Sequence, residues 1–302
     1  MTPGIDLDGL LRRLHLPTVR RLYPELCVKA ETEEMSHRDL LATLIAEEVG
    51  HRAQTRIERS VRKARFPFFA TIEDFSFTFQ TSLRLSMLGS YLGPELVSEG
   101  RCAVLLGPTG LGKTHLAIAI AYRAIQNGYE ARFTLANEML ETLSLAAREG
   151  ALGDALAEYV DPDVLVIDEI GYLTHRPDAA NVLYHVVNER HLRRRPMLLT
   201  TNKPMAAWGQ VLHDSDLAEA ILDRVLERGR LFELRGASYR TRHMRDELRG
   251  GRGAAAPRSQ AEPSPTSQRT SAGWPTISGI PGPEFPEPTS QTDSFAPYHS
   301  GR

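Results

Sequence analysis

Gly107-Pro108-Thr109-Gly110-Leu111-Gly112-Lys113-Thr114 constrains the possible fold more than any other stretch of this chain. It satisfies G-x-x-x-x-G-K-[ST], a motif that demands a strand turning tightly into a helix around an anion. Its flanks agree. Cys102-Ala103-Val104-Leu105-Leu106 is an apolar run that reads as a buried strand. Leu116, Ile118, Ala119, Ile120, Ala121 and Tyr122 read as a helix packed on a sheet. A chance glycine-rich turn would not bring both flanks with it. Glycines let the backbone close around phosphate, and the helix N-terminus aims its N–H groups there. Lys113 is expected to reach the β- and γ-phosphates, and the Thr114 hydroxyl to hold Mg²⁺. Gly107 to Thr114, with His115 next to them, are therefore the expected binding residues for a nucleoside triphosphate.

A second apolar strand, Val164-Leu165-Val166-Ile167, ends in Asp168-Glu169. Carboxylates at the C-terminal end of such a strand lie on the crevice side of a parallel sheet, where ligands bind. Asp168 is expected to help hold Mg²⁺ and Glu169 to polarise the attacking water. Such an acid argues for hydrolysis and against a small-molecule kinase. A third strand, Met197-Leu198-Leu199-Thr200-Thr201, ends at Asn202, placed to orient the water or sense the γ-phosphate. The helical pattern Ala218–Val225 carries Arg224, a residue type that stabilises transition-state charge across a subunit boundary. An intrachain pair with an acid such as Glu227 is the competing use of Arg224.

With further strands at Ala131–Leu135 and Leu231–Leu234, and helical patterns between the first four, the fold class is α/β. A mostly parallel P-loop sheet with helices on both faces is expected over residues 99–248. Residues 1–65 read as a small all-α N-terminal domain. Leu7, Leu10, Leu11 and Leu14 keep helical spacing up to Pro17, and a second stripe follows in which Pro24 predicts a kink or interruption. Ser36-His37-Arg38-Asp39 resembles a capping box opening a longer helix. That helix ends in six cations against one acid: Arg52, Arg56, Arg59, Arg62, Lys63 and Arg65. Such a stretch suits either a solvated helix end or a DNA backbone. Arg193-Arg194-Arg195 is a second candidate patch, or simply a helix end.

Residues 66–98 form a connector whose aromatics, Phe66, Phe68, Phe69, Phe75 and Phe77, are expected to cover the core edge rather than contact ligand. Residues 249–302 are rich in Pro, Ser and Gly without amphipathic period and are expected to be disordered. A net charge of −2 neither announces nor excludes nucleic acid, since local patches matter more than the total. Cys27 and Cys102 form no zinc pattern, and both are expected to be reduced. With no apolar leader and no 18-residue apolar run, a cytoplasmic protein without membrane contact is expected.

Taken together, these residues resemble the IstB-like ATP-binding proteins of bacterial insertion sequences, transposition helpers of the AAA+ class related to DnaC-like helicase loaders. The likeness spans roughly residues 5–245. It rests on Ala64-Arg65-Phe66-Pro67, the P-loop, Ile167-Asp168-Glu169-Ile170-Gly171-Tyr172, Thr200-Thr201-Asn202-Lys203-Pro204, Trp208, Asp223-Arg224 and Gly236-Ala237-Ser238-Tyr239-Arg240. The Thr-Thr-Asn-Lys-Pro and Ser-Tyr-Arg runs are the more specific. The resemblance implies Walker A at 107–114, Walker B at Asp168 and Glu169, sensor I at Asn202 and an arginine finger at Arg224. Arg240 is implied as a nucleotide sensor in cis, although the α/β domain ends almost at once after it, without a full helical lid. The resemblance further implies a homo-oligomeric, DNA-stimulated ATPase on duplex DNA, serving a cognate transposase. It tilts the basic 52–65 stretch toward DNA or assembly. A helicase loader and an ATP-binding scaffold with little hydrolysis are the alternatives.

Overall fold

The computed structural model describes residues 6–172 and 179–241, the Tyr172 side chain excepted. The 249–302 tail lies outside the described residues. The chain forms two compact units, with the boundary between Gly50 and His51, inside one helix.

In the first unit, helices α1 (Leu7–Arg13) and α2 (Pro17–Thr32) precede the start of α3 (His37–Ala64). Asp6 caps α1 through Gly9 N–H, and Pro17 opens α2, where a missing N–H costs nothing. Ser36 Oγ accepts the Asp39 N–H at 3.2 Å and donates to its carboxylate at 2.7 Å, as the capping pattern predicts. The interruption expected at Pro24 does not occur, and α2 runs through it. One lost backbone bond is offset because Val19, Leu22, Tyr23 and Leu26 all pack on a small core with Leu11 and Leu44. Glu48, 2% exposed, supplies what periodicity alone does not reveal. Its Oε2 accepts the Thr18 and Val19 N–H groups, at 2.9 and 3.2 Å, closing the first turn of α2.

The second unit is built on strands β1 (Cys102–Leu106), β2 (Ala131–Leu135), β3 (Val164–Asp168), β4 (Met197–Thr201) and β5 (Gly229–Glu233). All pair in parallel, in the order β2-β3-β4-β1-β5. Strand alternation sorts the core into two layers. Ala103, Leu105, Val164, Val166 and Leu198 face the Lys113–Gln126 helix. Val104, Leu165, Ile167, Met197 and Leu199 face the Ala136–Glu149, Ala179–Leu192 and Ser215–Glu227 helices. A P-loop α/β sheet covered on both faces is thus what the sequence predicts. β5 begins two residues earlier than its apolar run, because its limits follow pairing with β1 from Cys102↔Gly229 to Leu106↔Glu233.

The end of α3 belongs to this unit. Ile57, Val61 and Ala64 pack into the sheet's first layer, beside Phe66, Phe75 and Phe232. Among the described residues no helix is long and apolar enough to cross a membrane.

Candidate functional site

Parallel strands carry their C-terminal ends to one edge, and β1, β3 and β4 deliver the P-loop, the carboxylates and the Thr-Thr-Asn run there. β1 hands over to the loop at Gly107, whose N–H donates to Thr201 O at 3.2 Å. Gly112 has φ +87° and caps the Lys113–Gln126 helix; a Cβ there would sit 2.8 Å from Phe75 Cε2. Gly110 has φ +84°, and a Cβ on it would overlap Ser238 Oγ. Tyr239 N–H donates to Gly110 O at 2.9 Å, so the Gly-Ala-Ser-Tyr-Arg run is strapped onto the loop. Lys113 Nζ donates to Pro108 O at 2.8 Å, curling over the turn. Burial pushes the Lys113 ammonium below its ordinary range. Asp168 and Glu169 oppose the shift and Arg240 adds to it.

Thr114 Oγ1 lies 2.9 and 3.0 Å from Asp168 Oδ1 and Oδ2. Asp168 is buried, and Thr200 Oγ1 also donates to its Oδ1. Glu169 is exposed and left-handed, with φ +62°, and its N–H donates to Thr200 Oγ1 at 3.0 Å. A non-glycine residue in that region is strained and is held only by its surroundings. On β4's exit, Thr201 Oγ1 accepts the Lys203 N–H at 3.0 Å and shapes the turn that presents Asn202. Gly171 leaves room for it, since a Cβ there would overlap Asn202 Oδ1.

Gly110, Lys113, Thr114, Glu169, Thr200 and Asn202 line a cavity of ≈ 560 Å³, within the range of small-molecule sites. Its other wall comes from the connector. Phe68, Phe75, Phe79 and Gln80 of the connector line it together with Tyr239 and Arg240. Phe75 does bury itself in the core, but Phe68 and Phe79 stay 44% and 38% exposed beside the cavity. Phe79 meets Tyr239 edge to face at 5.2 Å. Sequence reading missed this wall because the connector's path around the P-loop has no local signature. His115 Nε2 lies 3.0 Å from Thr71 O, tying the connector to the start of the P-loop helix. A second cavity of ≈ 730 Å³ reaches Thr114, Asp168, Glu169 and Arg240 from the β2 side, past Arg65 and Arg132.

Residues 9–247 match the family described as IstB-like ATP binding protein. The chain belongs to that family. It is 36% identical over 233 residues to an insertion sequence IS5376 protein of Geobacillus stearothermophilus, itself assigned as ATP-binding only provisionally; the match covers 77% of this chain and 92% of the relative. It is 33% identical over 240 residues to the corresponding IS21 protein of Pseudomonas aeruginosa, covering 80% and 90%. Among solved structures, AMPPCP-bound DnaA from Aquifex aeolicus aligns with a TM-score of 0.48 at 19% identity, over 64% of this chain and 58% of that chain.

The remaining predicted residues of this IstB-like chain lie away from the cavity. Arg224 is half-buried and held by the Asn188 Oδ1, Tyr184 Oη and Ala220 O acceptors at 3.1, 2.9 and 3.0 Å. Its guanidinium also lies 4.8 Å from the centre of the Tyr184 ring. Glu227, its alternative partner, instead contacts His191 and Arg228. Arg52, Arg56, Arg59 and Lys63 follow at helical spacing on the face of α3 opposite Ile57, Val61 and Ala64, all exposed. Lys63 pairs with Glu130 and Arg65 with Glu158. In the Arg193–Arg195 run, Arg193 pairs with Asp161 and Glu189 and Arg195 reaches Val160 O, which is helix-end work.

Arg190, just upstream, was not singled out from sequence. It is fully buried and donates to five backbone carbonyls, those of Tyr159, Val160, Pro162, Asp163 and Pro196. Burial pulls its pKa down to about 9, with Arg195 and Arg193 adding to the shift and Cys102 and Asp163 opposing it.

Proposed function

We propose that this protein is an ATPase that assembles on duplex DNA and delivers or activates a partner transposase at its target. The observation that carries the proposal is the convergence of Lys113, Thr114, Asp168, Glu169 and Asn202 on one edge of the sheet, in a chain whose relatives are insertion-sequence proteins.

Triphosphate binds over the open N–H groups of the P-loop and the N-terminus of the Lys113–Gln126 helix. Lys113 leaves the Pro108 carbonyl for the phosphates, exchanging a neutral acceptor for charged ones. The base lies toward the Phe75, Phe79 and Gln80 wall, where aromatic faces offer stacking. Thr114 Oγ1 and the Asp168 carboxylate are hard oxygen donors already in contact, a set that fits Mg²⁺. When bound, the ion neutralises charge on the phosphate oxygens. Glu169 polarises the attacking water and Asn202 orients it. Arg224, ordered on its own helix pair and away from this chain's cavity, serves a neighbouring copy's nucleotide. The cationic stripe on α3 follows the DNA backbone. Arg240, on both cavities, contacts the phosphates in cis.

The test is ATP hydrolysis against duplex DNA concentration, for wild type and Arg224→Ala, at two salt concentrations. Stimulation that fades with salt and disappears in the variant is expected. Hydrolysis indifferent to both DNA and Arg224 would return the chain to a P-loop ATPase without assembly control, and absence of hydrolysis would favour an ATP-binding scaffold.

A further inference from the structure

We infer that Thr200 is a positioning residue for ATP hydrolysis, setting the backbone of the water-polarising Glu169 and the carboxylate of Asp168 through one hydroxyl. The inference rests on the proposed ATPase reading and deepens it.

β4 lies between β1 and β3, so its C-terminal end adjoins both the P-loop strand and the carboxylate strand. The β3–β4 pairing stops at Ile167↔Leu199, whereas β4 continues to pair with β1 through Leu105↔Thr200 and Leu106↔Thr201. Thr200 therefore stands where β3 has just left the ladder. The Glu169 N–H, which the next rung would have paired, goes instead to Thr200 Oγ1 at 3.0 Å. The single hydroxyl proton of Thr200 points to Asp168 Oδ1. One oxygen thus accepts from the backbone of one acid and donates to the side chain of the other, and Thr200 as a whole is 1% exposed.

Two features make this more than an incidental contact. Glu169 is left-handed at φ +62° without being glycine, a conformation that relaxes unless something opposes it. Thr200 supplies a bond that would be lost on relaxation. Asp168, in turn, is shared between Thr114 and Thr200. If Thr114 turns to a bound ion, Thr200 still holds the carboxylate's orientation. Thr200 borders the cavity, but its one hydroxyl proton goes to Asp168 and it accepts the Glu169 N–H, so it has no donor left for a nucleotide. Its effect is accordingly expected in turnover and not in nucleotide affinity.

Thr200→Val keeps the volume and branching of the side chain and removes both bonds, whereas Thr200→Ser keeps both. The full-length protein would be assayed with duplex DNA and saturating Mg-ATP, alongside Glu169→Gln, with binding of a fluorescent ATP analogue followed in parallel. Expected are a fall in kcat of about tenfold or more in Thr200→Val, binding within about threefold of wild type, and rescue of kcat by Thr200→Ser. Thr200→Ala, read the same way, serves if the valine variant does not fold. Turnover unchanged in Thr200→Val, binding and turnover lost together, or Thr200→Ser as impaired as valine would each overturn the inference. Wild-type hydrolysis that is absent, or equal to that of Glu169→Gln, would instead sink the ATPase reading and the inference with it.

Discussion

The Thr114 hydroxyl meets both oxygens of the Asp168 carboxylate, 2.9 Å from Oδ1 and 3.0 Å from Oδ2, joining the end of the P-loop to the end of β3. Two motifs far apart in sequence thereby share one polar contact, the pair we propose to hold Mg²⁺. Asp168→Asn keeps the shape of the acid and removes its charge, so Mg²⁺-dependent hydrolysis is expected to fall by roughly 10²-fold or more. Titration of activity with Mg²⁺ checks this, and an unchanged Mg²⁺ dependence would show that the pair is structural.

Glu169 carries a different expectation. Glu169→Gln removes the acid we propose to polarise water while leaving the P-loop intact. Hydrolysis should drop by about 10²- to 10⁴-fold with ATP still bound, measured by turnover and by analogue binding on one preparation.

Gly171 is held to its identity by space, not by φ. An alanine methyl would fall on Asn202 Oδ1 and push the amide from its place on the cavity wall. Gly171→Ala should lower kcat with little change in nucleotide affinity. Asn202→Ala should reproduce the effect, and combining the two should add little, because both act on one group.

Lys113 gives a pH prediction. Burial lowers its folded pKa below the ordinary lysine value of 10.5, while bound phosphate favours the ammonium. Binding of nucleotide therefore takes up protons on the alkaline side and weakens as pH rises through the lowered pKa, earlier than an unperturbed lysine would dictate. The unliganded fold shows the opposite sign. Between the lowered and the ordinary values the unfolded chain binds more protons, so stability from this group rises with pH in that window. Calorimetry of binding in buffers of different ionisation enthalpy reads the proton uptake directly.

The α3 stripe is testable by its salt dependence. Arg56→Glu with Arg59→Glu should weaken duplex binding and reduce the slope of log K against log salt by about 2. Lys63→Gln, which loses a cation already paired with Glu130, should change the slope less. Equal slopes in all three proteins would remove α3 from the DNA interface.

Arg190 predicts a stability effect without a catalytic one. Arg190→Lys keeps the charge but cannot fork to five carbonyls, and a loss of about 3 kcal/mol is expected. Urea unfolding checks the magnitude. A neutral outcome would mean that water replaces the guanidinium.

Much of the site was legible because its signals are local. The P-loop spacing, the carboxylates after Val164–Ile167 and the Asn after Met197–Thr201 each sit at the exit of an apolar run. In a parallel sheet all such exits share one edge. The elements missed share a different property. Phe79 and Gln80 fall in the connector and Thr200 at the end of a strand, while Arg190 and Glu48 carry no motif or spacing that sets them apart.

What the amino-acid sequence determined by itself was the five apolar strand runs, the main helical patterns and the nucleotide motif, since periodicity and glycine spacing act over a few residues. Only the tertiary structure decided the strand order, the aromatic wall of the cavity and which buried polar groups meet. It put one hydroxyl between Asp168 and Glu169, kept Arg224 off its own chain's cavity and turned Arg190 inward to five carbonyls. These depend on which distant segments pack together. A buried donor or acceptor must find its partner wherever the fold has placed one.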